Sequence, residues 1–267
     1  MERRNLVLGT ILVLVVLVTA MMAVSYITQA VYAFSCRDFP DAPIAASGNN
    51  VYVTWPSNKT GNWEVMFRAS NDSGKTFADK INLSQSPTNS FHSNVAASGN
   101  NVYVSLHDAK SGNLDTYVKT SADGGKTFGP LIKIKGTGTM PQKSEVLSDP
   151  KFTKDAIENT QIAASGNNVY VVSWDKKTGN WEVFLSASND NGKTFGDTIN
   201  LSNTPNQKSD KAWLTAEGNN VYVSWWETHK DGTQEPVIRV SNDAGHSFGP
   251  MLKLAANGTI SGTGSIG

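Results

Sequence analysis

The chain has 267 residues, with 23 Lys and Arg against 23 Asp and Glu, four His and a single Cys. The balanced charge argues against a nucleic-acid binder, which needs a basic excess, and one Cys excludes both a disulfide framework and a Cys-based zinc cluster. A mean hydropathy of −0.31 with 23 Gly describes a turn-rich body and excludes a multispan membrane protein.

The N-terminus reads as a targeting segment, residues 1–35. Arg3 and Arg4 precede an uncharged Leu/Val/Ile-rich run from Leu6 to Val24, with a softer continuation to Phe34. The pattern predicts one hydrophobic helix. Two readings stand side by side. A cleaved signal peptide would be cut near Val31-Tyr32-Ala33. A retained membrane anchor would use a run close to the length that spans a bilayer, with Arg3 and Arg4 on the cytoplasmic side. Either reading exports the body to the cell surface or the extracellular space. Cys36 then reads as a lone thiol near the start of the body. The sequons at Asn58, Asn71, Asn82, Asn200 and Asn257 are compatible with surface glycosylation.

The body consists of four copies of one unit. Ala46-Ser47-Gly48-Asn49-Asn50-Val51-Tyr52-Val53 recurs as Ala97 to Val104, Ala164 to Val171 and Ala216 to Val223. The equivalent glycines Gly48, Gly99, Gly166 and Gly218 are 51, 67 and 52 residues apart. A second motif follows in each copy: Ser70-Asn71-Asp72-Ser73-Gly74-Lys75-Thr76-Phe77 is echoed at Ser121 to Phe128, Ser188 to Phe195 and Ser241 to Phe248. Each copy predicts four short strands. Ser-Gly-Asn-Asn turns the chain between the first two, because Gly and Asn tolerate positive φ. The second strand, of the Val51 to Trp55 type, is apolar on both faces, which predicts a sheet buried on both sides. Four-stranded units repeated at this period predict an all-β propeller of four blades of antiparallel strands. The blades fall at about residues 42–91, 92–158, 159–210 and 211–256 of a body spanning 36–256, and a Gly/Ser/Thr-rich tail covers 257–267. Four is a tight number, so a closed ring, an open arc and a ring completed by a second chain are all open. An open edge invites pairing, so self-association is an expectation.

The Ser-x-Asp-x-Gly-x-Thr-Phe motif resembles the Asp-box, or BNR repeat, of the sialidase superfamily, and the whole pattern looks like secreted archaeal proteins described as sialidase-like. The resemblance covers about residues 40–256. It implies a β-propeller whose Asp-box hairpins join third to fourth strands, opposite the active face. It does not fix a reaction, because such propellers include hydrolases, lyases and receptors. Asp72, Asp123, Asp190 and Asp243 read as acceptors for hairpin groups, and Gly74, Gly125, Gly192 and Gly245 as the positive-φ positions. A catalytic Asp is needed once, not four times. Features shared by every copy are therefore architecture, and departures from the repeat are the functional candidates.

The sialidase mechanism implied by the resemblance needs clustered arginines for the substrate carboxylate, a Tyr nucleophile with a Glu partner, and an acid/base residue. Outside Arg3 and Arg4 the chain holds Arg37, Arg68 and Arg239, and the last two precede Asp-boxes on third strands. Tyr52, Tyr103, Tyr170 and Tyr222 are one repeat position, and Tyr117 is a packing position. No catalytic residue is therefore assigned. The four histidines show no metal-ligand spacing, so no metal or cofactor is assigned and calcium stays open.

Departures gather where second-to-third-strand loops meet the inter-blade connections. Blade two to blade three carries 16 extra residues (67 against 51) within the stretch Gly136 to Glu158, which includes Asp149. His107-Asp108 and Trp174-Asp175 end second strands. Trp225-Trp226-Glu227 and Trp213 mark blade four. Aromatic platforms beside polar groups suit sugar rings. The reading is an exported binding module for glycans or surface proteins, with no nucleic-acid partner and with membrane contact only through the N-terminal segment. The alternative is a sialidase-like glycoside hydrolase using acids of the insertion and blade four.

Overall fold

The structure is a computed structural model that describes residues 42–108, 115–134 and 160–256. The expected N-terminal helix, Cys36, Arg37, the insertion with Asp149, and the tail lie outside these residues. Within them the chain forms four sheets of four antiparallel strands and no helix. Blade 1 contains β1 (Ile44–Ser47), β2 (Asn50–Ser57), β3 (Glu64–Ser70) and β4 (Ile81–Asn82). Blade 2 contains β5 (Ser90–Ser98), β6 (Asn101–Asp108), β7 (Asp115–Ser121) and β8 (Ile132–Lys133). Blade 3 contains β9 (Thr160–Ser165), β10 (Asn168–Asp175), β11 (Glu182–Ser188) and β12 (Ile199–Asn200). Blade 4 contains β13 (Lys208–Glu217), β14 (Asn220–Thr228), β15 (Gln234–Ser241) and β16 (Leu252–Lys253). Each blade is a simple meander in chain order, and together they make a four-bladed β-propeller-like fold.

The Ser/Asp/Gly hairpins between third and fourth strands are built alike. Ser70 Oγ donates to Asp72 Oδ1 at 2.7 Å and accepts from the Gly74 amide at 2.9 Å. Asp72 also accepts from the Thr76 amide at 2.9 Å and the Thr76 hydroxyl at 2.6 Å. Asp123, Asp190 and Asp243 repeat this set with Thr127, Thr194 and Ser247. The Thr76 hydroxyl and amide hold the Asp72 carboxyl down to about 2. The carboxylate is the hub of a tight turn whose glycine sits at positive φ.

Blades stack front to back. Tyr52, Phe67 and Leu83 on the front of blade 1 pack against Val95, Val102, Val104 and Leu106 on the back of blade 2. The same residue positions join blade 2 to blade 3 and blade 3 to blade 4. The hairpin of each later blade lies on the blade before it. A Cβ added at Gly125 would stand 2.6 Å from the Phe67 ring, at Gly192 2.9 Å from Thr120, and at Gly245 3.1 Å from Tyr170. At Gly74 the nearest atom is 3.9 Å away and belongs to Val51 of the same blade.

Among the described residues no core joins blade 4 to blade 1, and exposure shows the consequence. Val95 and Ile162 are 5% and 7% exposed, whereas Ile44 at the same repeat position is 66% exposed. Leu83, Ile134 and Leu201 are fully buried, whereas Leu254 is 45% exposed. Tyr52, Tyr103 and Tyr170 are fully buried, and Tyr222 is half-buried. Phe128, Phe195 and Phe248 pack into the junctions, and Phe77 is exposed. Among the described residues the four blades thus form an arc with three sealed junctions and two end faces that no other blade covers.

This difference between inner and end hairpins is measurable. Gly125→Ala carries both a disfavoured φ of +80 and a clash with the Phe67 ring of the preceding blade. It is expected to cost roughly 2–4 kcal/mol, the size of core overpacking plus a left-handed alanine. Gly74→Ala carries the φ penalty alone, about 1 kcal/mol. Urea unfolding of the two variants checks this, and equal losses would contradict front-to-back stacking.

Candidate functional site

First strands of all four blades begin at the same end of the arc, opposite the Ser/Asp/Gly hairpins, and enclose a cavity of about 680 Å³. Its lining is drawn from Ala42 to Ile44, His92 to Asn94, Thr160, Gln161, Trp174 and Lys211 to Trp213. Pro43, Asn94, Gln161 and Trp213 occupy one repeat position, three residues before the constant Ala46, Ala97, Ala164 and Ala216. One first-strand position therefore contributes a different side chain to the cavity lining from each blade. Asn94 Nδ2 donates to Gln161 Oε1 at 2.8 Å across the blade 2 to blade 3 junction. Trp213 presents its indole to solvent, 67% exposed.

Two bulges shape this cavity. The β5 ladder slips between Phe91 and Asn94, and the β13 ladder between Asp210 and Trp213. At each slip one residue takes positive φ, His92 at 50° and Lys211 at 56°. Such conformations cost a non-glycine residue on the order of 1 kcal/mol, and both side chains join the cavity lining. The bulges also start β5 at Ser90 and β13 at Lys208, slightly before the blade limits expected from sequence. His92 is held in its neutral form: burial, aided by the neighbouring His107, lowers its pKa to about 3. Lys211 is exposed and is the cationic group of the lining.

Around the cavity end, buried carboxylates secure the connections between blades. Glu64 accepts from the Ser84 hydroxyl and from the Ser86 amide at 3.2 Å. Glu182 does the same with the Ser202 hydroxyl and the Thr204 amide. From the following blade, Asp108 accepts from Ser90 Oγ at 2.8 Å, and Glu227 accepts from Ser209 Oγ at 2.7 Å and the Trp225 indole at 2.5 Å. Burial pushes the Glu227 carboxyl up, against the pull of the Trp225 and Ser209 hydrogen bonds. The connectors from blade 1 to blade 2 and from blade 3 to blade 4 are thus each clamped by one carboxylate from the blade they leave and one from the blade they enter.

The sequence candidates fall into three groups. Trp213 stands in the cavity, and Trp174 reaches its wall while packing in the blade 3 to blade 4 core. His107, Asp108, Asp175, Trp225 and Glu227 are buried in the clamps and junctions. His107 Nε2 lies 3.1 Å from Thr160 Oγ1, and Asp175 accepts from the Lys177 amide at 2.8 Å. Trp226 is on the uncovered front face of blade 4, 40% exposed, because its neighbour Trp225 takes the opposite side of the strand. Arg68 and Arg239 share a repeat position on third strands and are not in the cavity lining. His92, Asn94, Gln161 and Lys211 are not among the sequence candidates. The signal that finds Asn94 and Gln161 is the variable position before each constant alanine. Among the described residues no group of three or more His, Cys, Asp or Glu side chains could hold a metal ion, and no helix is long and apolar enough to cross a membrane.

No protein-family model and no curated protein matches the chain. Solved structures share its fold. A protein of unknown function from Dyadobacter fermentans DSM 18053 superposes with a TM-score of 0.56 at 14% identity, over 83% of this chain and 70% of that one. The α-L-arabinofuranosidase arb93a from Fusarium graminearum gives a TM-score of 0.55 at 13% identity, over 82% of this chain and 67% of that one. A Hadza microbial sialidase, Hz136, gives 0.49 at 11% identity, over 78% of this chain and 45% of that one. The chain therefore spans less than half the length of that sialidase. At these identities the likeness concerns the fold, a β-propeller architecture also used by glycosidases.

The neutral His92 makes a pH prediction. Its folded pKa of about 3 lies below the ordinary value of 6.5, so the unfolded chain binds the proton first as pH falls. The contribution of His92 to stability is complete above about pH 6.5 and is lost from there toward the folded pKa. The loss should reach a few kcal/mol, since each tenfold difference in proton affinity between the folded and unfolded chain is worth about 1.4 kcal/mol. His92→Asn, which tolerates the left-handed backbone, should flatten the decline between about pH 6.5 and 4. Chemical denaturation across that range checks it, and an unchanged slope would refute the assignment.

Proposed function

We propose that this protein is an exported β-propeller-like binding module that holds acidic glycans in its axial cavity without cleaving them. The observation that carries this reading is Trp213. It replaces Pro43, Asn94 and Gln161 at a first-strand position that carries a different side chain in every copy, and exposes an aromatic face inside a cavity. An indole face stacks on the apolar face of a sugar ring while polar neighbours bond its hydroxyls. Asn94 and Gln161 supply amides to the same lining, and Lys211, two residues before Trp213, supplies a positive charge. The described lining residues include no carboxylate, phenol or guanidinium, so they offer grip and charge complementarity rather than the paired acids of glycoside cleavage. Glycosidases with the same architecture make a sugar ligand the natural class for an axial cavity of this kind. The hydrophobic N-terminal segment supports export, and a surface or extracellular setting is where such a module would meet glycans.

The test is a glycan-array screen followed by titration of the retained sugars. Trp213→Ala should weaken binding at least tenfold with little change in thermal stability, because the indole is mostly solvent-exposed. Lys211→Asn should narrow the preference for acidic over neutral sugars and reduce the salt dependence. Affinity should stay flat between about pH 5 and 8, because His92 is already neutral there. Turnover of a retained glycan, or binding indifferent to Trp213→Ala, would overturn the reading.

A further inference from the structure

We propose that copies of this chain associate head to tail, the front of blade 4 in one copy seating on the back of blade 1 in the next. The chain shows three times what a front face takes. At each internal junction it receives the back of the following blade, with an aliphatic first-strand residue, two second-strand valines and a hairpin phenylalanine. The uncovered front of blade 4 carries the receiving set again: Tyr222, Trp226, Ile238 and Leu254. The uncovered back of blade 1 carries the inserting set: Ile44, Val51, Val53 and Phe77. Within the described residues neither face finds its mate. A second copy brings the missing half to each.

A polar contact makes the pairing directional. At the junction of blades 1 and 2, Lys119 on the back of blade 2 donates to the Leu83 carbonyl at 2.7 Å. Arg68 occupies the Lys119 position on blade 1 and is exposed. Leu254 occupies the Leu83 position on blade 4, and both amides make the same bond to the third strand. In the paired state Arg68 would therefore donate to the Leu254 carbonyl of the second copy. A front-to-front contact would not bring these groups together. Because the joined faces are different, the contact is heterologous and generates a ring if the rotation closes.

The experiment measures the mass of the full-length chain by light scattering in mild detergent. The wild type is expected at a multiple of 28.7 kDa. Leu254→Asp spoils only the front face and Phe77→Asp only the back face, and both sites are exposed enough to spare the fold. Each variant alone should be monomeric, with unchanged circular dichroism. Mixed in equal amounts, they should form a dimer, because one intact front then meets one intact back. Trp226→Asp and Val53→Asp serve as a second pair should either first variant misfold. A monomeric wild type would overturn the proposal. So would association that survives both single variants, which would place the contact in residues 1–41 or elsewhere, or a mixture that stays monomeric.

Discussion

A four-stranded sheet that is apolar on both faces cannot stand alone in water. Every blade here has that character, with Tyr52 and Phe67 on one side and Val51, Val53 and Trp55 on the other. Each therefore needs a neighbour in front and a neighbour behind. Fully burying one large aliphatic or aromatic side chain is worth roughly 1.5–3 kcal/mol, and every junction buries a set of them. Stacking is the consequence, and among the described residues the hydrophobic cores are the three junctions. The two middle blades are satisfied on both sides. Among the described residues the two outer blades are each satisfied on one.

The polar features serve the same stack. The Ser/Asp/Gly hairpins place a bare glycine against the preceding blade, where a Cβ at Gly125 or Gly192 would collide with it. At the other end the connectors are clamped by Glu64, Asp108, Glu182 and Glu227, each buried and each hydrogen-bonded. Burying a carboxylate is costly unless such partners are present. Residues that recur are thus committed to holding blades together, which leaves chemistry of recognition to the positions that vary. The axial cavity is where those positions meet.

The repeat arithmetic makes the blades, their strand order and the hairpins legible before any coordinates, because glycine, asparagine and aspartate mark turns and the paired apolar runs mark two-faced sheets. The site is less legible. His107, Asp108, Asp175, Trp225 and Glu227 stand at or near the ends of second strands, and the sequence does not say that the connectors fold over them. Trp225 and Trp226 are adjacent letters that point to opposite faces, so one closes a junction and the other faces solvent. The bulges at His92 and Lys211 have no glycine to announce them, since the backbone there is held left-handed by non-glycine residues. Asn94 and Gln161 look like ordinary polar strand residues until the four copies are aligned on their alanines and the position they share with Pro43 and Trp213 proves to be the one that differs each time.

The chain's seven tryptophans permit a direct reading of this division of labour. Indole N–H resonances of the isotope-labelled protein, assigned by single replacements, can be followed while an acidic oligosaccharide is added. The Trp213 signal should move, Trp174 on the cavity wall should respond weakly, and Trp225 in the junction and Trp226 on the end face should stay in place. Movement of Trp226 or Trp55 with Trp213 unchanged would put recognition on the end faces of the arc and not in the cavity.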